Sequence, residues 1–432
     1  MFVSDSLNVN KEGHLTIGGA DTLDLAKNFG TPLIVYSEDG IRKNFKFFNS
    51  SIQEYYGGNG RVLYASKAFC CKEMCRIAES ENAGLDVVSG GEIYTALSVG
   101  FPEDRLYFHG NNKTYNELEY AVKSGVGRII ADNIEEIKTL ESLAEKYGKK
   151  IDVYLRVKPG IDAHTHKFIR TGQIDSKFGF ALETGEAMDA VRECTKSKKL
   201  NLCGMHCHIG SQIFDPSPFV LAAEVMMKFL SDIQRETGIT ITELDLGGGF
   251  GIKYTENDKP VGLDGYMRPV SEQIKKSAEK YSLPVPYILL EPGRSIAAAE
   301  AVTLYTVGAV KKIPNIRNYV SIDGGMTDNP RYILYQAEYT VLNAGKADAL
   351  PDTTVTVAGK CCETGDLIQE NAKIKEVKAG DILAVLTTGA YCYSMASNYN
   401  RVERPEVVFV TDGIPRTVIR RETYEQMAQN DI

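Results

Sequence analysis

The chain is predicted to fold as a (β/α)8 barrel joined to a second, mostly antiparallel β-domain. Three observations predict this. Eight short apolar, β-branched runs are each followed by a stretch with apolar residues at three- and four-residue spacing, the strand–helix alternation of a parallel barrel. That alternation stops after residue 296, where strand-like runs follow one another without helices. The length, 432 residues, exceeds one ordinary domain and suits a barrel of ~250 residues with an addition.

The eight runs are RVLYASKA (61–68), GLDVVSGG (84–91), RLYFHGNN (105–112), RIIADN (128–133), IDVYLRVKPG (151–160), LNLCGMHCHIGS (200–211), ITELDLGGGF (241–250) and PYILLEPGR (286–294). Between them lie amphipathic patterns such as YNELEYAVKSG, several ending in glycine as helix C-termini do. The barrel is assigned to 37–296. The β-domain is assigned to 297–432 together with 1–36, where HLTIGG and PLIVYS flank a short helix.

Composition narrows the function. The net charge, 49 − 57 = −8, disfavours nucleic acid or an anionic membrane as a main partner. No apolar run approaches the ~20 residues of a membrane helix, and the N-terminus lacks the basic start and apolar core of a signal peptide. Nine cysteines without such a signal read as reduced thiols, and a cytoplasmic enzyme is expected. Cys70, Cys71 and Cys75, following the first strand, read as small buried thiols.

Each apolar run ends in a reactive or small residue: Lys67, Ser89, His109, Asn133, Arg156, His208, Gly247 to Gly249, and Glu291. In a (β/α)8 barrel the carboxyl ends of the strands form the active-site face. Polar residues also mark where strands leave a core, which accounts for some of the eight. A lysine, two histidines, an arginine and a glutamate together need a further reason.

Strand alternation places Lys67 inward with Leu63 and Ala65. A buried lysine is costly unless paired or neutral, and forming an imine with a carbonyl cofactor achieves neutrality. Glu291 ends the eighth strand, neighbour of the first in a closed barrel. It reads either as a plain salt-bridge partner or as the group that keeps a pyridine nitrogen protonated. The glycine triplet after strand seven lets backbone N–H groups converge on an anion, with Ser211 ending strand six beside it. His206 and His208 alternate about Cys207. They read as a ring-stacking histidine and its neighbour, or alternatively as an H-x-H metal pair.

Taken together, YASKA (64–68), HCHIGSQ (206–212), LGGGFGI (246–252), EPGR (291–294), CETGD (362–366) and GAYCYSMASNYN (389–400) resemble the fold-type III pyridoxal-phosphate-dependent decarboxylases. TPLIVYSEDGIRKNF, FHGNNKT and PGIDAHTHKFIRTGQIDSKFGF resemble the diaminopimelate branch of that family, and the likeness covers nearly the whole chain.

This resemblance implies pyridoxal 5'-phosphate as cofactor and decarboxylation of meso-2,6-diaminopimelate to L-lysine and CO2, the last step of lysine biosynthesis. By resemblance, Lys67 would carry the cofactor, His208 would stack on its ring and Glu291 would pair with its nitrogen. Ser211, Gly248, Gly249, Gly293 and Arg294 would hold the phosphate with Tyr391. Arg294, Arg331, Tyr335, Glu363 and Tyr391 would bind substrate. Cys362 would donate a proton. Cys362 and Glu363 would come from the second subunit of a homodimer, and no metal is expected.

An arginine suits the carboxylate, and a glutamate the ammonium, at the far end of diaminopimelate. A decarboxylase of a basic amino acid or polyamine precursor needs only an acidic group there, and Arg331 with Glu363 argues against it. A racemase of this fold usually sets an arginine, not a glutamate, against the pyridine nitrogen. A metal-dependent hydrolase is the rival from another class. The chain departs from the family pattern at Lys360-Cys361, at Cys392 and after NYN, without losing any of these chemical groups.

Overall fold

The computed structural model describes residues 2–161 and 175–432. Most of the diaminopimelate-type stretch at 159–180 therefore lies outside the described residues. The chain divides into two compact units, one of 45–252 with 259–293 and one of 1–44, 253–258 and 294–432.

The first unit is built on eight strands, one for each predicted run, the first starting one residue early: β1 Gly60–Ala65, β2 Gly84–Val87, β3 Leu106–Phe108, β4 Arg128–Ala131, β5 Ile151–Lys158, β6 Leu200–His206, β7 Glu243–Asp245 and β8 Tyr287–Leu290. Every neighbouring pair is parallel, and the register Ile288 opposite Gly60 joins β8 to β1 and closes the barrel. A short strand, Phe180–Ala181, adds parallel to the end of β5.

Side chains fill the interior, as in other barrels of this type. Leu63, Tyr107, Ile130, Tyr154 and Leu289 form one buried cluster, with Tyr107 and Tyr154 meeting edge to face at 6.0 Å between centroids. Beyond the apolar layer the interior turns polar, with Asp86, His109, Arg156, His206, Asp245 and Glu291 all buried.

Two of the eight strand-end residues have a structural role. Ser89 is the N-cap of helix Gly90–Leu97, accepting from the Glu92 N–H, and Asn133 does the same for helix Ile134–Tyr147 through the Glu136 N–H. Short strand-to-helix loops place a capping residue there because the first N–H groups of a helix lack partners.

In the second unit, Leu33–Ser37 runs antiparallel to the long strand Ala301–Ile313 and parallel to Glu406–Thr411. Ala301–Ile313 also pairs antiparallel with Arg317–Ile322 and Ile382–Leu386. A second parallel pairing, Arg317–Ile322 with Thr353–Ala358, makes the sheet mixed, though most of its ladders are antiparallel. The N-terminal strands join this unit as expected. Leu15, Ile17 and Leu25 share a buried core with Leu33, Val35, Val302, Leu304, Leu386 and Val408. All nine cysteines are free thiols. Among the described residues, no helix is long and apolar enough to cross a membrane.

Candidate active site

Lys67 does not sit on the strand. β1 ends at Ala65, and Ser66–Ala68 form one 3-10 turn, so strand alternation was the wrong device for placing it. The turn is backed by the EPGR segment. The Ala65 N–H donates to the Pro292 carbonyl at 3.3 Å, and a Cβ on Gly293 would lie 2.9 Å from that of Ala65 and 3.0 Å from that of Ala68. Lys67 Nζ donates to Asp86 Oδ2 at 3.2 Å, and Asp86 is fully buried on β2. Its amine is thus held by a carboxylate that is itself shut off from water, while the lysine side chain stays 40% exposed.

Glu291, one residue past β8, is buried. Its Oε1 lies 2.9 Å from Nε2 of His109 and 3.4 Å from Nε2 of His206. Burial alone would push this carboxyl up, but the two imidazoles outweigh it and hold Glu291 well below the usual carboxylate range. The two members of the H-x-H pair part company. His206 ends β6 and is buried, while His208 lies beyond the strand, its Nδ1 accepting from the Gly248 N–H at 3.3 Å. Burial, then the charges of Lys67 and Arg156, keep His208 neutral.

His109, His206 and Glu291 offer ligand atoms within 4.8 Å of one another, and all three side chains are buried.

The glycine triplet makes the expected close approaches. A Cβ on Gly248 would meet the Glu291 carbonyl oxygen at 2.1 Å, and one on Gly249 the Gly210 carbonyl oxygen at 2.2 Å. Gly247 and Gly249 also have φ of +69° and +108°, which side chains resist. This loop is tied to the one after β6, which carries Ser211. The Ile213 N–H donates to the Gly249 carbonyl and the Gly251 N–H to the Ile213 carbonyl, both at 3.0 Å. Phe250 stacks on Phe219 at 5.3 Å, a contact of about 0.5–1.5 kcal/mol beyond area burial, and Tyr266 donates to the Ile213 carbonyl.

In the second unit the sequence-predicted arginines gather about Tyr254, which sequence reasoning missed. Nη1 of Arg294 donates to the Tyr254 hydroxyl at 2.5 Å, and its guanidinium lies 4.7 Å from the Tyr391 ring centroid. Arg331, the first residue of helix Arg331–Tyr335, lies 5.1 Å from the Tyr254 ring centroid and donates to the Tyr339 hydroxyl at 2.7 Å. Tyr335 ends the same helix, half-buried.

Cys392 is buried with its thiol 3.5 Å from the Tyr339 hydroxyl, and burial pushes it up to about 11. Cys362 and Glu363 are exposed. Their loop is pinned by Asp366, which accepts from the Met326 and Cys361 N–H groups, and by Asn400, which accepts from the Cys362 N–H at 2.7 Å.

Asp86, Asp245, Tyr254 and Tyr339 were not assigned from sequence. A charged residue inside GLDVV and another inside ELDL were the available signals for the first two. The tyrosines carried none.

Residues 38–298 match the family model for the pyridoxal-binding domain of pyridoxal-dependent decarboxylases. The chain is 48% identical to the diaminopimelate decarboxylase of Bacillus subtilis over 432 residues, covering 100% of this chain and 98% of that protein. It is 44% identical to that of Staphylococcus aureus, covering 99% of each. Its fold matches the crystal structure of diaminopimelate decarboxylase from M. jannaschii in complex with L-lysine, with a TM-score of 0.92, 33% identity, and coverage of 100% and 99%. With that likeness running from end to end, the chain belongs to the diaminopimelate decarboxylases, within the pyridoxal-dependent decarboxylases.

Proposed function

We propose that the protein releases CO2 from meso-2,6-diaminopimelate to give L-lysine, using pyridoxal 5'-phosphate in a homodimer with shared active sites. The observation that carries the cofactor is the convergence, in one unit, of Lys67 paired with a buried carboxylate, a buried ionised Glu291, and glycine loops too tight for side chains. These residues fit the group: an amine for its carbonyl, an anion for its ring nitrogen, and a backbone cradle for its phosphate. When bound, pyridoxal phosphate supplies an electron-withdrawing ring that accepts the electron pair left at Cα as CO2 departs.

The chain's own residues divide the remaining work. Lys67 would hold the cofactor through its amine, which donates to Asp86 Oδ2 at 3.2 Å. Glu291 would keep a proton on the ring nitrogen, and His208, kept neutral by burial, would add no charge beside it. Ser211, Gly248, Gly249, Gly293 and Arg294 bind phosphate, with the Tyr391 hydroxyl.

Arg331 binds the distal carboxylate, with Arg294, Tyr335 and Tyr391 nearby. Held from its far end, the substrate would present its reacting carboxylate in a fixed orientation. Glu363 takes the distal ammonium, and Cys362 delivers a proton to Cα after CO2 leaves, both from the neighbouring subunit. Their exposure on this chain is what such a shared site needs. A cytoplasmic location accords with the nine free thiols.

The test is CO2 release by purified protein with pyridoxal phosphate from meso-diaminopimelate, ornithine, lysine and arginine in parallel. Release from diaminopimelate alone is expected. Release chiefly from a substrate lacking the second carboxylate would overturn the assignments of Arg331 and Glu363.

A further inference from the structure

Glu291 is surrounded more elaborately than pairing with a ring nitrogen requires. Two imidazoles from different strand ends converge on the same oxygen. His109 follows β3, His206 ends β6, and both present Nε2 to Oε1 of Glu291, at 2.9 and 3.4 Å. The rings meet edge to face with centroids 4.8 Å apart, so each limits the other's rotation. All three side chains are less than 5% exposed, and water cannot substitute for either donor.

Both nitrogens of His206, Nε2 of His109 and Oε1 of Glu291 have no hydrogen bond of full geometry among the described residues, one another included, although the Nε2 and Oε1 atoms lie within 2.9–3.4 Å. Buried polar atoms are rarely left so, and the group that both Nε2 atoms approach is Oε1 of Glu291.

Further charged and titratable groups face the cluster. Asp86 Oδ1 lies 3.9 Å from His109 Nε2, and Lys67 pairs with Asp86. Arg156 is buried among the same strands, facing Asp132 with Nε 3.9 Å from Oδ1. Asp245, on β7, faces Glu291, and burial together with that neighbour pushes its carboxyl well above the usual range, so it is neutral beside an ionised partner. Burial drives His206 down to about 3, so it too is neutral and donates through a single N–H.

We propose that His109 and His206 are positioning residues of the reaction: their Nε2–H groups converge on Oε1 and fix Glu291 as an oriented carboxylate, leaving its second oxygen for the cofactor's ring nitrogen. This rests on the reading of Glu291 as the partner of that nitrogen. The two histidines act on the ring only through Glu291. Without them the buried carboxyl would take up a proton or turn away, and the ring would lose the charge that draws electrons from Cα.

The experiment loads pyridoxal phosphate labelled with 15N in the ring into wild type and variants, and reads the ring-nitrogen chemical shift against pH. Glutamine places an amide N–H near the position of Nε2, whereas asparagine is too short to reach Oε1, so the pair separates the donor from mere polarity and size. In His109→Asn and His206→Asn the ring nitrogen is expected to lose its proton at lower pH than in wild type, and kcat to fall roughly 10–100-fold, as when an outer support of a reactive group is removed. His109→Gln and His206→Gln should restore most of both. Glu291→Gln should lose the ring proton throughout the range.

A wild-type ring-nitrogen profile in both Asn variants, with Glu291→Gln altered, would overturn the role of the histidines and leave that of Glu291 standing. A wild-type profile in Glu291→Gln would instead remove the underlying reading. Asn and Gln variants equally impaired would assign the imidazoles a packing role and overturn the proposal.

Discussion

Tyr339 accepts a hydrogen bond of 2.7 Å from Nη1 of Arg331, inside a buried group that also contains Tyr254 and Cys392. A guanidinium held this way has its rotamer chosen before substrate arrives, which reduces the entropy lost on binding. Arg331→Ala is expected to lower kcat/KM for meso-diaminopimelate by about 2–3 kcal/mol, roughly 30–150-fold, while the binding of lysine, which lacks the second carboxylate, read as competitive inhibition, is affected far less. Equal losses on both compounds would remove Arg331 from carboxylate recognition. Tyr339→Phe should show the same preference at about 1 kcal/mol.

Lys67 pairs through its amine with Asp86, and its chemistry has no substitute in a methyl group. Lys67→Ala should abolish turnover and the yellow colour of the cofactor-loaded protein. Absorbance spectra of both proteins after gel filtration decide it, since a wild type that emerges colourless would refute the cofactor assignment.

Lys113 and Glu136 form a buried ion pair at 2.9 Å whose members are 1% and 5% exposed. Lys113 also donates to the carbonyls of Gly110 and Ile130, and Glu136 accepts from the N–H groups of Lys113 and Asp132. Removing the anion strands a charge without water, a loss of about 3–5 kcal/mol. Glu136→Met should therefore lower unfolding stability by that amount in urea titrations, and adding Lys113→Met should recover part of it, because the second change removes the stranded charge. No recovery would show that the backbone contacts of Glu136, not the ion pair, carry the stability.

Cys362 and Lys67 are expected to work in different subunits. Random exchange between Lys67→Ala and Cys362→Ala dimers makes half of them mixed, each with one intact site, so activity should return to about a quarter of wild type. Activity that stays at the level of the separate variants after subunit exchange, verified by native mass spectrometry, would argue for sites complete within one chain.

Much of this was legible in the linear chain. Apolar periodicity is a local property, and it located all eight barrel strands because each must bury a face wherever it lies. The carboxyl-end pattern likewise singled out Lys67, His109, His208, the glycine triplet and Glu291, since a barrel strand exposes its end to one rim. The same pattern also picked out Ser89 and Asn133, which cap helices, because capping and catalysis draw on the same short polar residues at the same loop positions.

Lys67 was placed on a strand that stops two residues earlier, because β1 gives way to a 3-10 turn packed against Gly293, a residue more than two hundred positions away. The family resemblance supplied the roles of Arg294 and Arg331, but not the Tyr254 and Tyr339 that hold them.

The chain by itself thus determined the repeating elements, the order of the strands and the residue types at their ends. Tertiary structure decided which of those residues meet. His109, His206 and Glu291 share a few ångströms only because the sheet closes on itself and brings β3, β6 and β8 around one interior. Whether a buried carboxylate is charged depends on neighbours no spacing rule contains, since electrostatic energy follows distance through space and the loss of water, not position along the chain.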